Sequence, residues 1–388
     1  MTWVVTTDAP LRQRCVLSAT QTLRDLARLV DDSDGTLQGV GAALLLLHEI
    51  GDTGLVPRRV IRRWIDRVKV AASADRLDLF AGALGAHWLL EELGIGTPGS
   101  MVEERARDAV QRTWQGGLAP FDGGLTAILA YAAALKVPRD VLIRHCVDRL
   151  LELAIHSGSD CQWLPPGLSQ LPGLHLLNLE GSSAALAAMG MAGTVLRRSD
   201  RAVVRSSLAT LARKMFATNR SIGEAGTVGR PGIVHGSGTW ALGTAGAVLA
   251  LVSASRWLGD RTSRSTATTA ALALADASPE TCNVYDTSIG TGTAGIACTL
   301  QHAYWYVPNA TLAAAARWWI LRTLGTRIRG AGYGGYLHFG RLATAADDRA
   351  SWRTRPGLLE GAAGTALALL RYARGGSRTN WPLLFLMA

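Results

Sequence analysis

The sequence predicts an all-α protein built as a ring or solenoid of helical hairpins, and three observations carry that reading. A short glycine phrase recurs seven times, each copy opens an Ala/Leu-rich run, and β-branched runs are scarce. The copies are Gly39-Val40-Gly41-Ala42, Gly82-Ala83-Leu84-Gly85, Gly124-Leu125-Thr126-Ala127, Gly181-Ser182-Ser183-Ala184, Gly243-Thr244-Ala245-Gly246, Gly292-Thr293-Ala294-Gly295 and Gly361-Ala362-Ala363-Gly364. They stand roughly 40–70 residues apart, room for one inner helix, a loop and one outer helix per unit. The repeat runs end to end, so residues 1–388 are expected to form a single domain.

Taken in chain order, residues 1–35 predict a lead-in helix. Val16 to Leu29 have amphipathic spacing, and Asp31-Asp32-Ser33-Asp34-Gly35 is the stop. Apolar runs such as Ala43–Leu47, Ile128–Leu135 and Thr365–Leu370 predict the inner helices. Polar helical stretches suited to an outer ring lie between them: Pro57–Val70, Met101–Trp114, Pro138–Ala154 and Ser199–Ala217. Pro57 and Pro138 suit the first turn of a helix, where the missing N–H is no loss. Longer interruptions at Ser157–Pro172, Asn219–Ser237, Ser278–Ser288 and Gly330–Arg355 are the expected seats of function.

Apolar residues make up 48% of the chain and charged residues 18%, enough for one large buried core. The net charge of +10 is spread as single arginines, including Arg58, Arg59, Arg62, Arg63 and Arg67. Such a face is solvated or steers an acidic partner. No basic block interleaved with aromatics suggests a nucleic-acid groove. The five cysteines, Cys15, Cys146, Cys161, Cys282 and Cys298, form no CxxC pair, which argues against a disulfide framework or a zinc knuckle. The start, Met1-Thr2-Trp3-Val4-Val5, lacks a signal pattern. Trp240 to Leu258 contains Ser253, Ser255 and Arg256 and reads as a buried inner helix, not a membrane span. The expected compartment is the cytoplasm.

With the seven phrases aligned, the chain resembles the lanthionine synthetase C-like family, the lanthipeptide cyclases. Gly357-Leu358-Leu359-Glu360-Gly361-Ala362-Ala363-Gly364 resembles that family's final motif. Thr36-Leu37-Gln38-Gly39-Val40-Gly41 resembles its first, with glutamine where histidine is usual. The resemblance implies an α/α toroid, a double ring of about seven inner and seven outer helices. It also implies addition of a peptide cysteine thiol to a dehydroalanine or dehydrobutyrine of the same ribosomal precursor peptide.

In well-known members a zinc ion binds that thiol through the cysteine of a Trp-Cys-x-Gly motif and a later Cys-His pair. Here the first motif reads Trp240-Ala241-Leu242-Gly243, and Gly290-Thr291 stand where the pair belongs. The expected arginine falls on Ser237, and Glu180 replaces a histidine before Gly181. Empty ligand positions of this kind resemble the zinc-free cyclase modules found with lanthipeptide kinases, so neither metal nor other cofactor is expected. No kinase motif is present, which implies a free-standing or excised cyclase acting with a separate kinase and lyase. The basic balance suits an acidic leader peptide.

Without zinc the site needs a base, charge stabilisation and an acid. His235, in a loop feeding the fifth repeat, is the leading base or acid. Glu180 and Glu360 directly precede repeat glycines, and Tyr285 and Asp286 precede the sixth repeat as candidate acids. Asp286 suits loop capping equally. Asp122, Trp240, Thr291 and Glu360 are candidate substrate contacts, with Trp240 expected as a cavity wall. Cys282 is a further candidate reactive thiol, and His235, Cys282 and Asp286 lie in flanking loops from which a metal site could in principle be rebuilt. Gly332 to Phe339 reads as an aromatic lid or a plain hairpin. Helix N-termini converging on a cavity would add unpaired N–H groups that favour a thiolate or enolate.

Three other readings remain open. A catalytically silent toroid would bind the precursor or scaffold a kinase and lyase. A glycosidase would draw on Asp122, Glu180 and Glu360. A terpene cyclase would use Asp31-Asp32-Ser33-Asp34. Neither enzyme alternative explains the sevenfold phrase.

Overall fold

The computed structural model describes residues 8–29, 33–96, 99–112, 124–163, 182–193, 195–225, 238–241, 243–340 and 351–387. Its helices are α1 (Ala9–Leu29), α2 (Val40–Ile50), α3 (Arg58–Ala72), α4 (Ala83–Glu92), α5 (Gly99–Arg112), α6 (Leu125–Ala134), α7 (Asp140–Glu152) and α8 (Ser182–Met191). They continue with α9 (Arg201–Ala225), α10 (Thr244–Leu258), α11 (Arg261–Ala275), α12 (Pro279–Cys282), α13 (Thr293–Tyr306), α14 (Ala310–Gly325), α15 (Ala362–Arg374) and α16 (Trp381–Leu384). Two small antiparallel hairpins complete the described structure: β1 (Ile155–Ser157) with β2 (Asp160–Gln162), and β3 (His338–Gly340) with β4 (Ser351–Arg353). The fold is all-α, as the sequence predicts.

All seven repeat phrases open a helix: α2, α4, α6, α8, α10, α13 and α15. These helices are apolar nearly all round and almost wholly buried, as in α15, where Ala362 to Ala373 are buried without a break. The stretches between them, α3, α5, α7 and α9, keep exposed polar faces. The lead-in helix begins at Ala9, seven residues before the expected periodic run, because the amphipathic face continues through Leu11 and Cys15, both buried. Pro57 stands one residue ahead of α3, at its N-cap, and Pro138 two residues ahead of α7, so neither occupies the first turn where it was expected. Inner helices end where glycine takes the left-handed conformation, as at Gly51 after α2 (φ 77°) and Gly375 after α15 (φ 72°).

The described residues form two compact units. The first comprises 1–99, 285–301 and 313–379; α1 packs on α15, α15 on α2, and α2 on α3 and α4. The second comprises 100–284, 302–312 and 380–388; α10 is its centre, packed on α8, α9 and α11, with α6 against α7, α8 and α16. The α8–α10 approach is close enough that a Cβ on Gly190 would stand 2.5 Å from the Ser253 carbonyl carbon. Alanine and serine dominate α8 for the same reason.

The repeat glycines have a geometric purpose. The chain folds back ahead of several inner helices, and a loop carbonyl takes an N–H at the helix start: Ala83 N to Arg76 O, Thr293 N to Asp286 O and Ala362 N to Arg355 O at the first residue, and Ala245 N to Gly238 O at the second. In α15 the next two N–H groups are also bonded, Ala363 N to Pro356 O and Gly364 N to Gly357 O. No side chain caps α2, α4, α6, α10 or α15. The expectation of unpaired N–H groups is therefore corrected for the helix starts where these bonds form. Backbone carbonyls satisfy the donors left over at a helix start.

This close return makes a testable demand on Gly364, where a Cβ would lie 1.8 Å from the Leu358 carbonyl oxygen. Gly364→Ala is expected to destabilise the protein by about 2–4 kcal/mol in chemical denaturation, although alanine is ordinarily the better helix former by ~1 kcal/mol. Gly325→Ala at the end of α14, where nothing lies within 4 Å, serves as the control and should change stability by less than about 1 kcal/mol.

Candidate functional site

The first unit gathers Tyr285, Asp286, Thr291 and Glu360 into one neighbourhood: the loop Tyr285–Thr291 before α13, the β3–β4 hairpin, and Arg355–Gly361 leading into α15. Asp286 is its pivot. Its Oδ1 accepts from the Ser288 N–H at 3.0 Å and the Ser288 hydroxyl at 2.9 Å, and its Oδ2 accepts from the Phe339 N–H at 3.1 Å. Burial raises its pKa, these donors oppose the rise, and the negative charge of Glu360 adds to it. The carboxylate is thus committed to holding two loops together.

Two other aspartates do the same work. Asp34 Oδ1 accepts from the Thr36 N–H and is bonded by the Thr36 hydroxyl before α2. Asp78 Oδ1 accepts from the Phe80 and Ala81 N–H groups before α4. All three are turn-forming aspartates ahead of a repeat glycine, so the position of Asp286 follows from the repeat itself. The expectation of a free acid at 286 gives way to one of its alternatives, loop capping.

Tyr285, beside it, is 61% exposed, and its ring lies 5.8 Å from that of Phe339. Phe339 in turn meets Trp352 of β4 edge-on at 5.4 Å. The Gly332–Phe339 segment therefore does form part of a hairpin bearing exposed aromatics. Glu360 pairs with Arg355, which leaves it partly exposed. Thr291 donates its N–H to the Ser288 hydroxyl at 3.2 Å, with the two hydroxyls 3.1 Å apart.

Sequence reasoning missed a buried polar cluster at the same place. His338 of β3 is 1% exposed, with Nε2 3.4 Å from the Thr365 hydroxyl. Thr365 donates to the Thr287 carbonyl at 2.9 Å, and the two threonine hydroxyls are 3.2 Å apart. His338 Nδ1 has no partner among the described residues. Burial, helped by the nearby Arg355 charge, drives the His338 pKa down to about 3. The histidine was visible inside the glycine-aromatic segment; only the fold could place it against α15.

Five expected residues lie elsewhere or outside the description. Trp240 is 1% exposed and packs edge-on against Phe385 at 5.0 Å in the second unit, so it is core and not an open wall. Glu180, His235 and Asp122 lie outside the described residues. Cys282 is buried, its thiol pushed up to about 12 by burial, with Gly238 so close that a Cβ there would stand 2.2 Å from its sulfur. It is a packed thiol, not a reactive one.

The positions matching the family's metal ligands do not suit zinc. Ala241 offers a methyl group and Gly290 no side chain at all. Gly290 donates its N–H to the Leu359 carbonyl at 2.8 Å, and a Cβ there would meet Leu359 at 3.1–3.2 Å. Thr291 has a hydroxyl already bonded to Ser288. Zinc requires convergent nitrogen, sulfur or carboxylate donors, and none of these three positions provides one. Among the described residues no group of three or more His, Cys, Asp or Glu side chains could hold a metal ion.

His338 gives this site a pH signature. Because its folded pKa lies below the unfolded value of 6.5, its stabilising contribution is complete above pH 6.5 and falls away as pH drops toward 3. Between pH 7 and pH 4.5 the loss attributable to this group should be about 2–3 kcal/mol. Denaturant unfolding of wild type and His338→Gln at both values checks this: the variant should show a correspondingly smaller pH dependence.

Comparison with known proteins follows the same lines. The sequence profile described as lanthionine synthetase C-like protein matches residues 181–386, more than half of the chain. No curated protein matches the sequence. Among solved structures, nisin cyclase aligns over 97% of each chain with a TM-score of 0.63 at 14% identity. That likeness shows the α/α toroid fold implied by the sevenfold phrase. By the profile match, its residues and its fold, the chain belongs to the lanthionine synthetase C-like family.

Proposed function

We propose that this protein is a lanthipeptide cyclase that closes thioether rings without zinc, adding a cysteine thiol to a dehydroalanine or dehydrobutyrine of the same precursor peptide. The observation that carries the reading is family membership combined with Ala241, Gly290 and Thr291 at the ligand positions. The sealing of Gly290 by Leu359 supports it.

The reaction moves the thiol proton to a base, forms an S–Cβ bond and shifts the Cα=Cβ electron pair into an enolate. A proton then returns to Cα, so atoms and electrons balance with no co-reactant. A thiol of pKa about 8.5 is only a few per cent ionised at neutral pH, so the base matters. His235 is the proposed base, suited by its ordinary pKa, and Glu180 is its proposed counterpart at the position where relatives carry histidine. Tyr285, with its ring exposed beside Phe339, is the proposed proton donor to Cα. Asp286 is assigned the positioning of that loop. Glu360, Thr291 and Asp122 are proposed to meet the peptide, and Trp240, buried in its own core, is left out of that set.

The partners in this reading are the ribosomal precursor and a separate kinase and lyase that dehydrate it, all acting in the cytoplasm. Nucleic acid and membrane have no part in it; no helix among the described residues is long and apolar enough to cross a membrane. Both compact units are read as one domain, a reading supported by their interleaving, since neither is a continuous stretch of chain.

A second reading, a silent toroid that holds the precursor or scaffolds the kinase and lyase, is favoured by one observation. The described candidate acid Asp286 already spends both oxygens on the protein. One experiment separates the two. Purified protein, assayed for metal content, is mixed with a dehydrated cysteine-containing precursor, and ring closure is followed by loss of thiol alkylation in mass spectrometry. Closure that persists in chelator and slows about 10²–10⁴-fold in His235→Ala supports the metal-free cyclase. Closure abolished by chelator overturns zinc independence. Tight peptide binding without closure, with or without kinase and lyase, makes the protein a scaffold.

A further inference from the structure

The outer helix α3 borders an open groove that the reaction does not use. Leu44 and Leu47 of α2, Ile61 and Ile65 of α3, and Leu93 and Ile95 after α4 line a cavity of about 420 Å³, all within the first unit. That volume lies in the range of ligand-binding clefts, about 300–1,000 Å³. Ile61 and Ile65 are half-buried with nothing yet covering them. Arg378 closes one end, its guanidinium lying over Gly51.

The groove's rim is positive. The helix reads Arg58-Arg59-Val60-Ile61-Arg62-Arg63-Trp64-Ile65-Asp66-Arg67-Val68-Lys69, six basic residues against one acidic. Arg58 and Arg62 flank Ile61 and Ile65 at helical spacing, and both are exposed. Arg58, Arg59 and Arg62 make no ion pair among the described residues. The first turn of α3 holds no acidic residue, so these cations stand at the positive end of the helix dipole, where they oppose it. A cost of that kind is offset when an anion binds.

We propose that this groove is a docking site for an acidic amphipathic helix of a peptide or protein partner. Apolar side chains of the partner at i, i+3, i+4 and i+7 would enter between Leu44, Ile61, Ile65 and Leu93, with Glu and Asp along its flanks meeting Arg58, Arg62 and Arg378. The concavity favours this occupant over an anionic bilayer, because Leu44 and Leu47 lie at the floor, 4% exposed, where lipid headgroups cannot follow. The assignment stands on the groove and its rim and does not depend on the cyclase reading.

The test uses the full chain and a fluorescein-labelled helical peptide of about four turns, with Leu and Ile at the four stripe positions and Glu elsewhere, followed by anisotropy. Binding should weaken at least tenfold in Ile65→Glu and in Arg58→Glu/Arg62→Glu, and a Lys-for-Glu peptide should bind at least tenfold less well than the acidic one. The double arginine variant alters only exposed side chains, so it remains informative if Ile65→Glu fails to fold. A scrambled acidic peptide binding as tightly as the amphipathic one would reduce the face to general charge attraction and overturn the proposal. So would binding unchanged by Arg58→Glu/Arg62→Glu, or phosphatidylglycerol vesicles bound in preference to the peptide.

Discussion

The structure depends on one backbone hydrogen bond repeated around the chain: the first N–H of an inner helix donates to a loop carbonyl about seven residues earlier. Ala362 to Arg355, Thr293 to Asp286 and Ala83 to Arg76 are instances, and Ala245 to Gly238 is the counterpart one residue into α10. The bond forces the chain to return within van der Waals distance of itself, and only a residue without a Cβ permits that return. Glycine phrases, turn aspartates and side-chain-free helix starts are three signs of a single constraint. The apolar helices that follow can be buried on nearly every face because their ends are already satisfied.

That constraint also governs what the candidate site can be. The loops that carry Asp286, Gly290, Thr291 and Glu360 are the same loops that cap α13 and α15, so polar groups there serve the turn before they serve a substrate. Asp286 shows this most directly, since the position before the repeat that makes it a candidate acid in sequence is the position from which it closes the turn. Groups left for chemistry stand outside that accounting. In the described neighbourhood the Tyr285 ring is exposed and the Glu360–Arg355 pair lies partly open at the edge.

Much of the fold was legible in the residues because the phrase and the helix start coincide: all seven glycine phrases open a helix, and the polar stretches between them include α3, α5, α7 and α9. The lead-in helix ran longer than its periodicity suggested, since the buried Leu11 and Cys15 continue the packed face. The site was less legible. Trp240 and Cys282 carry reactive or aromatic groups whose burial depends on Phe385 and Gly238, far away in sequence or indistinguishable from other loop glycines. His338 was overlooked for the converse reason: its partners, Thr287 and Thr365, are ordinary threonines until β3 lies against α15.

Gly290 leaned against Leu359 bears on how such a site changes over successive substitutions. A side chain added at 290 meets that leucine and its carbonyl before it meets any ligand, so the order of changes matters. Leu359 must give by a few tenths of an ångström to admit it. Installing donors at 241, 290 and 291 is thus not three independent steps. A donor at 290 is tied to how far residue 359 can yield, and through it to the loop that leads into α15.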